Sequence, residues 1–246
     1  MISVFQSASS KVGPWLSPCL ASVENWCSQQ GFDYHFLGDE LFEKVPRSLR
    51  DKLQGRTPIV ADLARLTLLR DHLDAAGGIA IWIDADTLVL DSSWTPDMSH
   101  SASFGEEFWL EKSVEGRLRV FRQPHNAFMV FAEDDPVLPF LHYVAHSMIQ
   151  RVDQDAIAPQ MIGPKLLKSL HSLAAFKLHP EAGALSPALA AELVAGGGEA
   201  VDRYRNAMRP RTRLWNLCGS LAQQGRHEPN LLALTENPLL FEVLDP

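Results

Sequence analysis

Several features that mark specialised classes of protein are scarce or absent in this sequence of 246 residues. Its three cysteines, Cys19, Cys27 and Cys218, are too few and too scattered for a disulfide framework or a zinc site, which fits free thiols in a reducing cytosol. No apolar run approaches the ~20 residues that span a bilayer, so any membrane contact would be peripheral. The amino terminus does not resemble a signal peptide, and we therefore expect a cytoplasmic protein.

Positive charge is also scarce. The formal charge of -8 argues against a general affinity for nucleic acid, which relies on clustered Lys and Arg. Positive charge is concentrated near the carboxyl end, in Arg203, Arg205, Arg209, Arg211 and Arg213. These residues could contact an anionic acceptor or a membrane headgroup, or could form an ordinary solvated helix face.

Strand-like and helix-like segments alternate along the chain, which predicts an α/β layer architecture. Strands are expected near Phe5 and over 32–37, 79–83, 102–105, 127–131 and 175–178, and helices over about 15–29, 39–53, 58–76 and 136–151 and after 163. From residue 187 onward the pattern is mainly helical. We therefore expect an α/β domain over residues 1–185 and a mainly helical extension over 186–246 that packs on it.

The apolar run 79–83 is the most informative segment, because it ends in two acids, Asp84 and Asp86. Side chains at i and i+2 of a strand point the same way, and open α/β sheets bind ligands at the carboxyl ends of their strands. Two adjacent carboxylates repel each other unless a cation compensates them, and hard oxygen ligands suit Mg²⁺ or Mn²⁺. The segment therefore predicts a metal-bound phosphate or diphosphate, with a simple strand-end turn as the alternative.

Asp62 and Arg65 lie three residues apart on the predicted helix that precedes this strand, and so share one of its faces. They could reach past the sheet edge toward a ligand. The alternative is an intrahelical ion pair of little energetic consequence.

Together, Asp62-Leu63-Ala64-Arg65, Gly77-Gly78 and Asp84-Ala85-Asp86 resemble the Asp-x-x-Arg, Gly-Gly and Asp-x-Asp core of a known family. That family is the retaining glycosyltransferases of the GT-A fold with the DXD sugar-binding region, of the capsular and mannosyl transferase type (family 32), with the clostridial glucosylating toxins as remote relatives. Asn126 before an apolar strand and Gly163-Pro164 before a helix are weaker matches. The resemblance implies a Rossmann-like mixed sheet flanked by helices.

The resemblance also implies a reaction and its residues. A sugar would move from a nucleotide-diphosphate sugar, such as a UDP- or GDP-sugar, to an acceptor hydroxyl with retention at the anomeric carbon. Asp86 would be the main ligand of Mn²⁺ or Mg²⁺, and Asp84 would contact the donor's hydroxyls and the metal through water. Asp62 and Arg65 would hold the donor sugar, with Arg65 also neutralising phosphate charge. The acceptor would be a glycan, a lipid-linked molecule or a protein.

Three further residues are candidates for the same site. Asn126 is expected among the donor-binding residues. Phe5 is a candidate for stacking on the nucleobase, with core packing as the alternative. His179 is a candidate third metal ligand, with an ordinary core histidine as the alternative.

Two other functions remain open from the sequence. A phosphatase of the haloacid dehalogenase type also has Asp-x-Asp after an apolar strand, but Leu88 stands where that motif has Thr or Val. That strand also normally begins the domain, whereas here it lies well inside the chain. A non-catalytic protein that binds nucleotide sugars or carbohydrates would keep the same pocket without turnover.

Overall fold

A six-stranded mixed sheet forms the centre of the computed structural model, which describes residues 1–9, 13–158, 160–207, 209–224 and 227–245. The strands are β1 Ile2–Ser7, β2 Asp33–Leu37, β3 Ile79–Ile83, β4 Thr87–Val89, β5 Ala102–Lys112, β6 Leu118–Ala132, β7 Lys177–His179, β8 Ala182–Ala184 and β9 Leu214–Asn216. The helices are α1 Leu16–Gln30, α2 Arg47–Lys52, α3 Thr57–Ala76, α4 Val137–Arg151, α5 Pro164–Ala174, α6 Pro187–Val194, α7 Glu199–Arg205 and α8 Glu228–Glu236. None of the described helices is both long and apolar enough to cross a membrane.

The sheet has the strand order β2-β1-β3-β6-β5-β7. β1 pairs parallel with β2 and β3, whereas β3 pairs antiparallel with β6. The carboxyl ends of β1 and β3 therefore meet at one edge of the sheet. β6 passes the same edge, since Ile83 pairs with Phe128 and the Asp84 amide donates to the Ala127 carbonyl at 2.8 Å.

Helix α3 and strand β3 agree with the sequence prediction. Pro58 stands in the first turn of α3, where a missing backbone N–H costs nothing. The helix ends at Gly77 and Gly78, whose φ angles of +65° and +83° turn the chain directly into β3. Most of the helix surface up to Leu69 is buried, so its orientation against the sheet is set by packing.

The β5–β6 hairpin is much longer than predicted, since strands were expected only over 102–105 and 127–131. Its outer half alternates, with Phe108 and Leu110 buried on one face and Glu107, Trp109 and Glu111 on the other. The acidic residues therefore mark the second face of a strand.

The carboxy-terminal part contains helices, as predicted, but also strand β9. This strand pairs antiparallel with β4 and parallel with β8 in a second, three-stranded sheet. Thr87, just after the acidic motif, pairs with Asn216. This pairing brings the segment after β9 to the edge of the main sheet where β3 ends.

Candidate functional site

Asp84 follows β3 and is held by two donors. Its Oδ1 accepts a hydrogen bond from Arg65 Nη1 at 2.8 Å and another from Trp82 Nε1 at 2.6 Å. Trp82 lies two residues before Asp84, and its ring also lies beneath the Arg65 guanidinium, 5.1 Å from the ring centroid. The orientation of Asp84 is therefore fixed by its own strand and by α3.

Arg65 links the helix, the acidic strand and β6. Its side chain pairs with Asp62 at 3.1 Å and donates to the backbone carbonyl of Asn126 at 2.9 Å, besides its bond to Asp84. Asp62 also accepts from Asn126 Nδ2 at 2.7 Å. Only 8 % of Arg65 and 7 % of Asp62 is exposed, so this network is almost dry. Burial raises the pKa of Asp62, while Arg65 and Asn126 oppose that rise.

The start of helix α5 packs directly against the Asp62–Asn126 pair. A Cβ on Gly163, immediately before Pro164, would lie 2.7 Å from Asp62 Oδ2 and 3.0 Å from Asn126 Nδ2. The Gly-Pro pair therefore permits an approach that a side chain would block.

Asp86 is held by the carboxy-terminal segment instead. Its Oδ1 accepts from Asn216 Nδ2 at 2.5 Å and its Oδ2 accepts from the Gly219 amide at 2.7 Å. Cys218, with a φ angle of +52°, turns the chain so that the Gly219 N–H points at the carboxylate. Trp15 packs directly over Gly219, where no side chain would fit.

Burial and the charge of Asp84 together raise the pKa of Asp86 to about 6. The bonds from Asn216 and Gly219 favour the ionised form but do not offset this rise. The protein thus holds two carboxylates close together, and a bound cation would remove the electrostatic repulsion between them.

Two cavities open on either side of these acids. The β1 cavity, of about 500 Å³, lies between the ends of β1 and β3, the start of α1 and the 219–220 segment. The hairpin cavity, of about 630 Å³, lies between β5, β6, α5 and the segment after β9. Residues that line both are Arg65, Asp84, Asp86 and Ser220. The acids therefore form a shared wall between two spaces.

The structure brings four predicted residues and Asn126 together, but not Phe5 or His179. Phe5 stacks on His35 at 4.8 Å within the core and lines neither cavity. His179 is buried, bonds through Nε2 to Ser103 Oγ at 2.9 Å, and lines neither cavity. The prediction that His179 is a metal ligand stays a prediction without a supporting contact.

The donor atoms present suit a hard divalent cation. Each oxygen of Asp86 receives one hydrogen bond and keeps a second lone pair, and Asp84 lies beside it. Among the described residues, no three His, Cys, Asp or Glu side chains form a group that could hold a metal ion. The protein would thus supply two carboxylates and leave other coordination positions to water and phosphate oxygens.

The sequence did not identify Asn216, Gly219 or Ser220 as site residues. The bond from Asn216 to Asp86 spans 130 positions of the chain and depends on a strand of three residues. So short a strand carries no periodicity that a sequence pattern could show.

The arginine cluster is largely paired with acids. Arg209 pairs with Glu106, Arg211 with Asp245 and Arg213 with Asp91. Glu106 is thus the partner of an arginine whose side chain is buried. Its neighbour Glu107 lines the hairpin cavity.

Comparison with proteins of known structure identifies the fold of this chain. No family model matches the sequence, and no curated protein is similar to it. A glycosyltransferase involved in glycosylation of the major capsid of PBCV-1 superposes with a TM-score of 0.51 at 12% identity, over 93% of this chain and 98% of that one. The galactosyltransferase LgtC, solved with donor and acceptor sugar analogues, has a TM-score of 0.48 at 11% identity, over 98% and 95% of the two chains. The first likeness and the strand order confirm the predicted GT-A-like mixed α/β fold.

Proposed function

We propose that this chain is a glycosyltransferase that moves a sugar from a nucleotide-diphosphate sugar to an acceptor hydroxyl, in a reaction that requires Mn²⁺ or Mg²⁺. One observation carries the proposal. A buried arginine and two carboxylates converge at the carboxyl end of a central strand, on the wall shared by two cavities. Such a wall would place a cation and a guanidinium where diphosphate charge develops, with separate spaces for donor and acceptor.

The donor would lie in the β1 cavity. It is lined by the end of β1 and by aromatic residues, among them Trp15 and Phe42, which offer apolar surface to a nucleobase. Phe5 lies in the core and is not part of this surface. The diphosphate would then lie beside Asp84 and Asp86.

Each charged side chain has a distinct part in this proposal. Asp86 and Asp84 would hold the divalent ion, which when bound neutralises the charge of the diphosphate leaving group. Arg65 would donate to a phosphate or sugar oxygen through the one N–H, on Nη2, that its contacts with Ala61, Asp62, Asp84 and Asn126 leave over. Asp62 and Asn126 orient the guanidinium. Asp62 lines neither cavity, so its direct contact with the donor sugar stays a prediction.

Retention at the anomeric carbon is proposed from the resemblance of the Asp-x-x-Arg and Asp-x-Asp motifs to retaining enzymes. The acceptor hydroxyl would then attack from the face that the diphosphate leaves, and a leaving phosphate oxygen would take its proton.

A non-catalytic nucleotide-sugar-binding protein is the second candidate. It is favoured by one observation, namely that no third His, Cys, Asp or Glu ligand accompanies the two acids among the described residues. A phosphatase that uses Asp84 as its nucleophile is disfavoured by the sequence, because Leu88 stands where that motif has Thr or Val.

Nucleotide release from a panel of UDP- and GDP-sugars, with Mn²⁺, Mg²⁺ or chelator, tests the proposal. We expect metal-dependent release with at least one donor, and its loss in Asp86→Asn. Asp74→Ala, which removes an exposed acid from the same helix as Asp62, serves as the control. Donor binding without release would favour the non-catalytic protein, and undiminished release by a folded Asp86→Asn variant would refute the metal assignment.

A further inference from the structure

We propose that the hairpin cavity binds the acceptor and that this acceptor is an uncharged saccharide of at least two sugar units, lying along Trp109 and Phe121. The cavity's role as an acceptor site rests on the proposed function. The class of ligand rests on the residues of the β5–β6 hairpin.

The position of the cavity connects it to the reacting atoms. It shares Arg65, Asp84 and Asp86 with the β1 cavity, so a ligand there would touch the end of the donor that carries the sugar. From this shared wall the cavity extends along β6, whose residues 121, 123 and 125 alternate into it. One face of the β5–β6 hairpin therefore forms a continuous surface that begins at the acids and extends toward Phe121.

An aromatic pair stands on this face. Trp109 and Phe121 are direct partners in the β5–β6 register and both line the cavity. The opposite face of the hairpin buries Phe108 and Leu110, whereas Phe121 remains 37% exposed. Aromatic rings carry negative charge on their faces, which suits the apolar C–H face of a pyranose ring. A paired aromatic surface that the protein leaves uncovered suits stacking of sugar rings.

The next rung of the hairpin carries a polar pair. Glu107 is the register partner of Gln123, and Gln123 Nε2 donates to Glu107 Oε1. A carboxylate and a carboxamide have further acceptor and donor positions beyond this bond. Adjacent sugar hydroxyls, each both donor and acceptor, match such a pair. The sequence of aromatic rung, polar rung and acidic wall therefore suits a saccharide better than an acyl chain.

Charge and length narrow the ligand further. The proposed divalent ion and Arg65 would compensate Asp84 and Asp86, which leaves Glu107 and Glu111 against the single cation Lys168 on the hairpin side. An acidic saccharide or a phosphate group would be repelled from the hairpin side, where Glu107 and Glu111 lie. From His125 to Phe121 the strand advances four residues, or about 13 Å. This span exceeds one pyranose ring.

Direct saccharide binding tests this inference without requiring turnover. The full chain would be screened on an array of neutral and acidic oligosaccharides, and the tightest ligand titrated by calorimetry or saturation-transfer NMR. We expect a neutral oligosaccharide to bind better than its component monosaccharides. Trp109→Ala and Phe121→Ala should each weaken binding roughly tenfold, the loss expected for one stacked ring. Phe140→Ala, at an exposed aromatic of α4 outside both cavities, should bind like the wild type.

Several results would overturn the saccharide assignment. These are no saccharide binding by the wild type, preference for acidic saccharides, full binding by Trp109→Ala, and transfer to peptide hydroxyls with no transfer to sugars. Nucleotide release with no saccharide binding would refute this inference alone. Saccharide binding that depends on Trp109, without release from any donor, would refute the proposed function and leave the binding site standing.

Discussion

Arg65 is the residue whose replacement should disturb the site most. Its side chain is 9% exposed and lies 3.1 Å from Asp62 and 2.8 Å from Asp84, whose side chains are 10% and 27% exposed. Arg65→Gln removes the cation and leaves both carboxylates without their main compensation. Breaking a buried pair in this way costs roughly 3–5 kcal/mol, compared with about 0–1 kcal/mol at the surface. At pH 8 we therefore expect Arg65→Gln to lower the free energy of unfolding by roughly 3–5 kcal/mol.

The loss should depend on pH in a definite direction. Burial already raises the pKa of Asp62, and removing Arg65 takes away the largest influence that lowers it. The variant's Asp62 should therefore take up a proton more readily as pH falls, so the cost of its uncompensated charge should be smaller at pH 5 than at pH 8. Chemical denaturation of wild type and Arg65→Gln at pH 8 and pH 5 measures both values.

A matched arginine provides the control. Arg47 pairs with Asp51 at 3.9 Å, with both side chains largely exposed, and Arg47→Gln should leave stability unchanged. The reasoning is refuted if Arg65→Gln costs less than about 1 kcal/mol at pH 8, which is the surface value. It is also refuted if the cost at pH 5 equals the cost at pH 8.

The remaining predictions concern metal binding and the closure of α5. Because the pKa of Asp86 is raised to about 6 and only its ionised form binds a cation, Mn²⁺ affinity should be constant above pH 6 and fall about tenfold per pH unit below it. Calorimetry at pH 5 and pH 8 checks this, and equal affinities would contradict it. The metal-free protein should lose stability as pH rises from 3.8 to about 6, since the unfolded chain releases the Asp86 proton first. Gly163→Ala should displace Asp62, because the new Cβ would lie 2.7 Å from Asp62 Oδ2, and should thereby weaken donor binding. The control is Gly55→Ala, whose Cβ would have no atom within 4 Å and which therefore tests only backbone strain. Donor titration of both variants compares them, and equal donor affinity would show that Gly163 is not needed at the site.

Local patterns predicted the part of the site that local structure builds. Helix α3, strand β3 and the two acids that follow it are consecutive in the sequence. Asp62 and Arg65 share a helix face because of their spacing alone. The meeting of Arg65 with Asp84 then follows from the helix leading directly into the strand.

The part of the site that could not be predicted depends on strands that pair over long distances in the sequence. Asn216 reaches Asp86 only because β9 pairs with β4, and three-residue strands give no readable period. The hairpin face offers a contrast, because Glu107, Trp109 and Glu111 do alternate with buried residues. There the alternation was present in the sequence, but no strand was predicted beyond residue 105.

A cation site at Asp84 and Asp86 is central to the proposed reaction. Anomalous diffraction from Mn²⁺, in crystals grown with a nucleoside diphosphate, measures its position directly. We predict one peak against the carboxylate of Asp86, on the wall between the two cavities, with the diphosphate on the β1 side. A peak at another acidic surface, such as the cluster over residues 133–135, or none at saturating Mn²⁺, would contradict the proposed site.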